Sequence, residues 1–243
     1  MQQQFGIIIP CYKHAHTLKQ VLTNLAPLNY LMVVVDDGND LDQKAIIKNT
    51  VKEFENAVLL EHATNLGKGA AIADGIAYLK EHHYTHAIQI DADMQHNLKD
   101  LNKFISLSAQ YPKDIISGAP LYDDKAPKGR VIGRKITNFF VALECCTLSI
   151  KDAMIGFRVY PVEPIFKILN KHHIAMRMGF DIEILVWAYW SGCKTRFIET
   201  KVTYPEGGIS NFKAKDNLKI SLMHTKLCTI ALLKPILKVF NYV

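Results

Sequence analysis

Two aspartates, Asp91 and Asp93, stand one residue apart directly after the apolar run Ile88-Gln89-Ile90. Carboxylates just past a buried strand are costly to desolvate unless a cation or water meets them. This spacing suits Mg²⁺ or Mn²⁺, with diphosphate oxygens completing the shell and Gln95 adding a neutral oxygen. The plainer alternative is a solvated loop in which Asn97 caps the next helix. A strand followed by Asp-x-Asp also occurs in aspartyl phosphatases of the haloacid dehalogenase type. There the first acid is a nucleophile and a Thr or Val usually follows the second acid by two. Gln95 stands in that place here.

A second acidic group, Asp36-Asp37-Gly38-Asn39, follows the run Leu31–Val35. A carboxylate at a strand end can accept from a base N–H or a ribose hydroxyl. The same residue types also make an ordinary turn. Asn65-Leu66-Gly67-Lys68-Gly69-Ala70 opens a helix after a third strand. Its glycines let backbone approach a ligand, and Lys68 can reach a phosphate. The spacing is not that of a Walker loop, and no dinucleotide GxGxxG occurs. Arg130 and Arg134 fall four apart in a helical stretch and share a face, where guanidinium forks suit phosphate. Asp181 and Glu183 fall in Gly179-Phe180-Asp181-Ile182-Glu183. Spacing of two does not align both acids on one helix face.

These residues need a scaffold, and the chain supplies an alternating one. Apolar, β-rich runs at Phe5–Ile9, Leu31–Val35, Ala57–Glu61, His86–Ile90 and Asp114–Ser117 are separated by helical segments near 17–25, 42–54, 69–82 and 98–110. That rhythm predicts a parallel sheet covered on both faces, with its site at the carboxyl ends of the strands. After residue 119 the rhythm breaks. The sequence predicts a helix near 130–148, a strand over Met154–Tyr160, a helix over Asp181–Ser191 and a strand over Lys194–Thr200. Residues 1–212 read as one α/β domain, with a nucleotide-binding half (1–118) and an acceptor half (119–212). Residues 213–243 read as an amphipathic helical tail that Pro235 should break or kink.

Composition narrows the class. Of 243 residues 49% are apolar and 21% charged, which excludes a disordered chain. The net charge of +6 suits an anionic substrate or surface. Five cysteines without a CxxC predict a reduced, cytoplasmic protein with no zinc site. No apolar run is long enough to span a bilayer, and MQQQFGIIIPCY does not read as a signal peptide. The tail mixes apolar residues with Lys219, Lys226, Lys234 and Lys238, the pattern of an interfacial segment. Ordinary packing or a homo-oligomer contact is the other reading of that tail.

Ile9-Pro10-Cys11-Tyr12, Val35-Asp36-Asp37-Gly38, Asn65–Ala70 and Asp91–His96, in this order, resemble the GT-A glycosyltransferases of family 2, in the dolichyl-phosphate mannose synthase-like branch. Asp152-Ala153-Met154-Ile155-Gly156-Phe157-Arg158 looks like that branch's D-x-x-x-GF-[KR] element. The resemblance spans roughly residues 5–212. The second half is similar to soluble transferases of bacterial aryl-polyene and related lipid gene clusters, on Pro120–Asp123, Gly133-Arg134, Arg177-Met178 with Phe180-Asp181, and Tyr204-Pro205 with Gly208-Ile209-Ser210.

The resemblance implies a single GT-A domain, α/β with a mostly parallel sheet. It implies an inverting transfer from a UDP- or GDP-linked sugar to a lipid-linked, polyprenyl-phosphate-like acceptor in cell-envelope glycoconjugate synthesis. Pro10, Tyr12, Asp36, Asp37, Lys68, Asp91, Arg130, Arg134 and Ser210 would bind the donor. Asp91, Asp93 and Gln95 would hold Mg²⁺ or Mn²⁺. Asp181 would be the general base for a hydroxyl acceptor, with Glu183 second, and a phosphate acceptor would need no base. Pro205–Asn211 looks like the loop closing over the donor, with Pro205 and Asn211 replacing the branch's Arg and Lys. No nucleic-acid partner is implied, and membrane contact would be peripheral, on the inner face. A non-catalytic nucleotide-sugar binding module is the remaining alternative.

Overall fold

A computed structural model describes residues 3–122, 128–203 and 214–239. Seven strands build one sheet: β1 (Phe5–Cys11), β2 (Leu31–Asp36), β3 (Ala57–Glu61), β4 (His86–Gln89), β5 (Ile115–Tyr122), β6 (Arg158–Pro161) and β7 (Thr195–Val202). Their order is β3-β2-β1-β4-β6-β5-β7. Every pairing is parallel except those of β6, which runs against both β4 and β5.

The central strands are apolar at nearly every position because both faces are covered. Alternate residues go to opposite faces. Ile8, Val33 and Val35 pack against α3 (Lys68–Glu81), α5 (Lys128–Cys145), α6 (Val162–Lys171), α7 (Phe180–Trp190) and α8 (Ala214–Val239). Ile7, Ile9, Met32 and Val34 pack against α1 (Ala15–Leu25), α2 (Leu41–Lys52) and α4 (Leu101–Gln110). Asp40 starts α2 by accepting from Gln43 N at 2.9 Å, an ordinary N-cap. α7 is buried on nearly all sides, which explains its apolar run Ile182–Trp187 around two acids.

Three expectations need correction. The strand placed over 154–160 begins only at Arg158. Residues 153–155 turn instead, because Asp152 Oδ1 accepts from Met154 N (3.0 Å) and Ile155 N (2.8 Å). The segment 162–171 is a helix with no counterpart in the sequence reading. Pro235 does not end α8, which runs on to Val239.

The register fixes the working edge. Cys11 pairs with Asp36, so β1 and β2 end together, and Gln89 pairs with Arg158. Since β6 is antiparallel, its start reaches the edge where β1, β2 and β4 finish. Gly156 thereby meets Asp91, and Phe157 meets His96, both far from them in sequence.

Candidate active site

The loop after β2 is built around two carboxylates with different duties. Asp36 is buried, and its Oδ1 accepts from Asn39 N (3.0 Å) and Asn39 Nδ2 (2.7 Å). Its Oδ2 has no hydrogen-bond partner among the described residues. A buried acceptor left open is costly unless a ligand donor meets it. Asn39 also donates to Cys11 O (2.8 Å) and accepts from Lys13 N (2.7 Å), tying the Pro10–Lys13 turn to β2. Pro10 and Tyr12 therefore stand beside Asp36.

Asp37 organises the chain instead. Its oxygens accept from Leu66 N (2.8 Å), Gly67 N (2.9 Å) and Asn65 Nδ2 (2.8 Å). His62 is clamped between Asp37 (2.9 Å) and Asp74 (2.8 Å). Burial alone would lower the His62 pKa, but hydrogen bonds and charge from the two carboxylates outweigh it and raise it. Gly67 has φ +108° and lies against Met176 O, a conformation and a fit that suit glycine. Arg177 then bonds Asn65 Oδ1 and O, at 2.5 and 2.8 Å, which locks this loop to the start of α7.

Lys68 is delivered into the centre by that loop. Its Nζ donates to Asp91 Oδ2 at 2.9 Å and lies 3.0 Å from Asp181 Oδ2. Burial opposes its charge, but the charges of Asp181 and Asp91 prevail and raise its pKa. Burial would likewise raise the Asp91 pKa, and Lys68 with His96 takes it below the usual carboxylate value. Nζ is also 2.8 Å from Asp91 Oδ1, yet off the hydrogen-bonding direction, so that buried oxygen keeps no aligned donor.

Asp181 is held by two further strands, β4 and β6. Gln89 Nε2 donates to its Oδ1 (3.0 Å), and Tyr160 OH donates to Gln89 Oε1 (3.1 Å). Arg158, fully buried, donates to Asp181 O (2.6 Å) and Ala153 O (2.9 Å). A Cβ at Gly156 would overlap Lys68 Nζ, Asp91 Oδ2 and Gln89 Nε2. Phe157 stacks on His96 (centroids 5.1 Å) and Phe104 (4.1 Å). The Asp-x-x-x-Gly-Phe-Arg element thus acts residue by residue: a turn, a gap, a wedge and a buried fork.

Asp93 Oδ1 accepts from Gln95 N at 3.0 Å. Among the described residues no three His, Cys, Asp or Glu side chains gather closely enough to hold an ion alone. Asp91 and Asp93 nonetheless fit one, through the undonated Asp91 oxygen, with Gln95 on the same loop. Such a site needs a ligand's oxygens to complete it, which oxygen-seeking Mg²⁺ and Mn²⁺ accept. A cleft of about 740 Å³ opens beside this loop, lined by Val21, Asp91, Met94, Leu98 and Lys201.

Comparison with known proteins settles the class. The family model described as glycosyl transferase family 2 matches residues 6–169. The chain belongs to that family. The transferase is 28% identical over 250 residues to a dolichyl-phosphate beta-glucosyltransferase of Trichomonas vaginalis, covering 90% of this chain and 73% of the other. It is 24% identical over 216 residues to the UDP-N-acetylglucosamine–dolichyl-phosphate N-acetylglucosaminyltransferase of Methanococcus voltae, covering 82% and 86%. Both relatives are dolichyl-phosphate sugar transferases. The fold of this chain is similar to glucosyl-3-phosphoglycerate synthase of Mycobacterium tuberculosis in complex with Mn²⁺, UDP and phosphoglyceric acid. That match has a TM-score of 0.66 at 15% identity and covers 96% of this chain and 78% of that one. The GT-A expectation for the fold is met, and the phosphatase and binding-module alternatives fall away.

Not every expected residue joins the transferase's centre. Asp36, Asp37, Lys68, Asp91, Asp93, Gln95 and Asp181 gather at the sheet edge, with Pro10 and Tyr12 beside them. Arg134 is paired with Asp152 at 2.6 Å, and Arg130 lies exposed in the first turn of α5. Glu183 faces the other way. It is 1% exposed, paired with Lys226 of α8 (2.6 Å), and accepts from Ala175 N (2.8 Å). Ser210 and the loop Pro205–Asn211 lie outside the described residues. Sequence reasoning passed over Gln89 and His62. The first had a signal, a glutamine inside an apolar strand. The second had only its place three residues before Asn65.

Proposed function

We propose that this glycosyltransferase moves a sugar, with inversion, from a UDP-linked donor to a polyprenyl-phosphate-type acceptor in cell-envelope glycoconjugate synthesis. One observation carries the reading. Lys68 bridges Asp91 and Asp181, so the carboxylate that would face a donor diphosphate and the acid on the acceptor side share one centre. The named relatives favour UDP and a lipid phosphate as the two substrates.

In this reading Asp36 Oδ2 accepts from the base, and Asp37 holds the loop that presents Lys68. Asp91, Asp93 and Gln95 would hold Mg²⁺ or Mn²⁺, which supplies charge stabilisation for the departing diphosphate. Lys68 adds a fixed positive charge at the same place. A phosphate acceptor is ionised at neutral pH, so no residue need remove its proton. Both oxygens of Asp181 already hold donors, Gln89 and Lys68. Asp181 therefore positions Lys68 rather than acting as a base. A lipid acceptor is met at a bilayer, so the transferase works as a peripheral protein on the inner face of the cytoplasmic membrane. No helix among the described residues is long and apolar enough to cross it.

Thermal stabilisation by UDP and by GDP, each with and without Mn²⁺, tests the reading. UDP should stabilise the wild type in a metal-dependent way and GDP much less. Asp93→Ala should fold normally and lose the metal-dependent part. Metal-independent stabilisation of both proteins would overturn the assignment of the metal site.

A further inference from the structure

Helix α5 carries an exposed apolar stripe that no described residue covers. Ile132, Ile136, Phe139 and Leu143 are 59%, 55%, 60% and 53% exposed. Their spacing of four, three and four keeps them within about 60° of arc at 100° per residue. The stripe is about 16 Å long at 1.5 Å per residue. The face that packs on α8 is centred about 90° away round the helix. It holds Phe140, stacked on His224 at 5.1 Å, and Glu144, paired with His224 at 2.7 Å. The stripe is therefore not unfinished packing against α8.

The surrounding charges identify the occupant. On α5, on the 146–153 loop and on the described side chains of α8, every acid is buried: Glu144, Asp152 and Asp216. The exposed charges there are all cationic, including Arg130, Lys135, Lys151 and Lys219. Exposed apolar side chains whose exposed charged neighbours, among the described residues, are all cations match an anionic lipid surface. A second copy of the same face would bring those cations against one another.

We infer that α5 is a bilayer-docking element, its stripe seated among acyl chains and its flanking cations on anionic headgroups. Helix α8 buries Ile220, Met223 and Leu227 in the core but exposes Leu218, Leu222, Leu232 and Leu233, so it can add apolar area of its own. The inference deepens the proposed function and rests on that reading for its purpose, a lipid-linked acceptor, but not for its residues.

Vesicle flotation tests it, using full-length protein without nucleotide. The vesicles are pure phosphatidylcholine or an equal mixture with phosphatidylglycerol. The wild type should float with the mixture at low salt and not with phosphatidylcholine alone. The Ile136→Glu/Phe139→Glu variant should lose binding at least about tenfold, since it removes the two central apolar contacts. Leu41→Glu, at an 85% exposed leucine on α2, should float like the wild type. Both variants alter exposed positions, so melting temperatures should match. Flotation of the double variant at the wild-type level, or a wild type that never floats, would overturn the inference. So would a concentration-dependent dimer, seen by sedimentation, that the double variant abolishes. Metal-dependent UDP stabilisation is measured on the same samples. Its loss in the wild type would refute the proposed function, whereas normal stabilisation without flotation would refute only the docking surface.

Discussion

The two sides of the sheet's working edge hold their acids in different ways. On the side proposed for the donor, Asp37 is surrounded by backbone amides and a histidine, all within residues 62–67. Amides of a packed loop do not rotate away, so this carboxylate is part of the frame. On the side proposed for the acceptor, Asp181 is held by Lys68 and Gln89 at its carboxylate and by Arg158 at its backbone carbonyl, which come from α3, β4 and β6. Three side chains from three elements can each find another partner. The donor side is therefore preformed. The acceptor side is assembled, and Lys68 is the piece a diphosphate would draw off its acids. Buried networks of this second kind fail as a unit when one member is displaced.

The largest expected effect follows from crowding that network. Gly156→Ala puts a methyl where Lys68 Nζ, Asp91 and Gln89 meet. The lysine must move, and a displacement of about 1 Å at a reacting centre costs on the order of 10² in rate. Turnover should fall by that much while the fold persists, measured as UDP release in the presence of acceptor. An active Gly156→Ala enzyme would mean that the Lys68 bridge is not used.

Asp181→Asn sharpens the same comparison. If Asp181 only positions Lys68, the amide keeps much of the geometry and kcat should fall about tenfold, or about 1.4 kcal/mol. A fall of 10²–10⁴ is the signature of a lost general base, and would point to a hydroxyl acceptor. The rate with a water-soluble polyprenyl phosphate decides between them.

Asp37→Asn probes the preformed side. One carboxylate oxygen becomes an NH₂ facing the amides of Leu66 and Gly67. Leaving such donors without an acceptor costs about 1–3 kcal/mol. Stability in urea should drop by that amount, and donor KM should rise more than kcat falls. A larger effect on kcat would show that the loop's role is not confined to binding.

The same contrast explains what the sequence disclosed. Strands β1 to β4 and their loops are short-range objects. Apolar runs end in Asp, Gly and Asn, and each signal lies within a few residues. The acceptor half depends on pairing across the chain. β6 is four residues long and inserts antiparallel between β4 and β5, so it has no periodic signal of its own. Its start was misplaced because the apolar residues 153–157 fill the space under Asp91 without being a strand. The sequence ranks Asp181 ahead of Glu183 without showing where either side chain goes. Only the position of α7 against α8 sends Glu183 to Lys226 and leaves Asp181 at the centre. The stripe on α5 was readable as spacing, but its exposure was not.

The smallest effect concerns the histidine behind the donor loop. Its two ring nitrogens face Asp37 and Asp74, and a ring between two carboxylates is best satisfied as an imidazolium, which donates from both. Its pKa is accordingly raised in the folded protein. A raised folded pKa adds stability that is fully present below the unfolded value of about 6.5. That stability is lost as pH rises through the folded pKa, since the folded state then gives up a proton the unfolded state has already released. His62→Gln keeps two polar atoms and cannot carry the charge. The melting-temperature gap between wild type and His62→Gln should be widest below about pH 6 and close steadily on the alkaline side. His172 moves the other way and does not blur the test. Burial, with Lys171 and Lys226, lowers its pKa to about 4, so its pH-dependent cost falls in acid and is common to both proteins. A gap that is flat with pH would mean that neutral His62 braces Asp37 equally well, and that the donor loop is held by its amides alone.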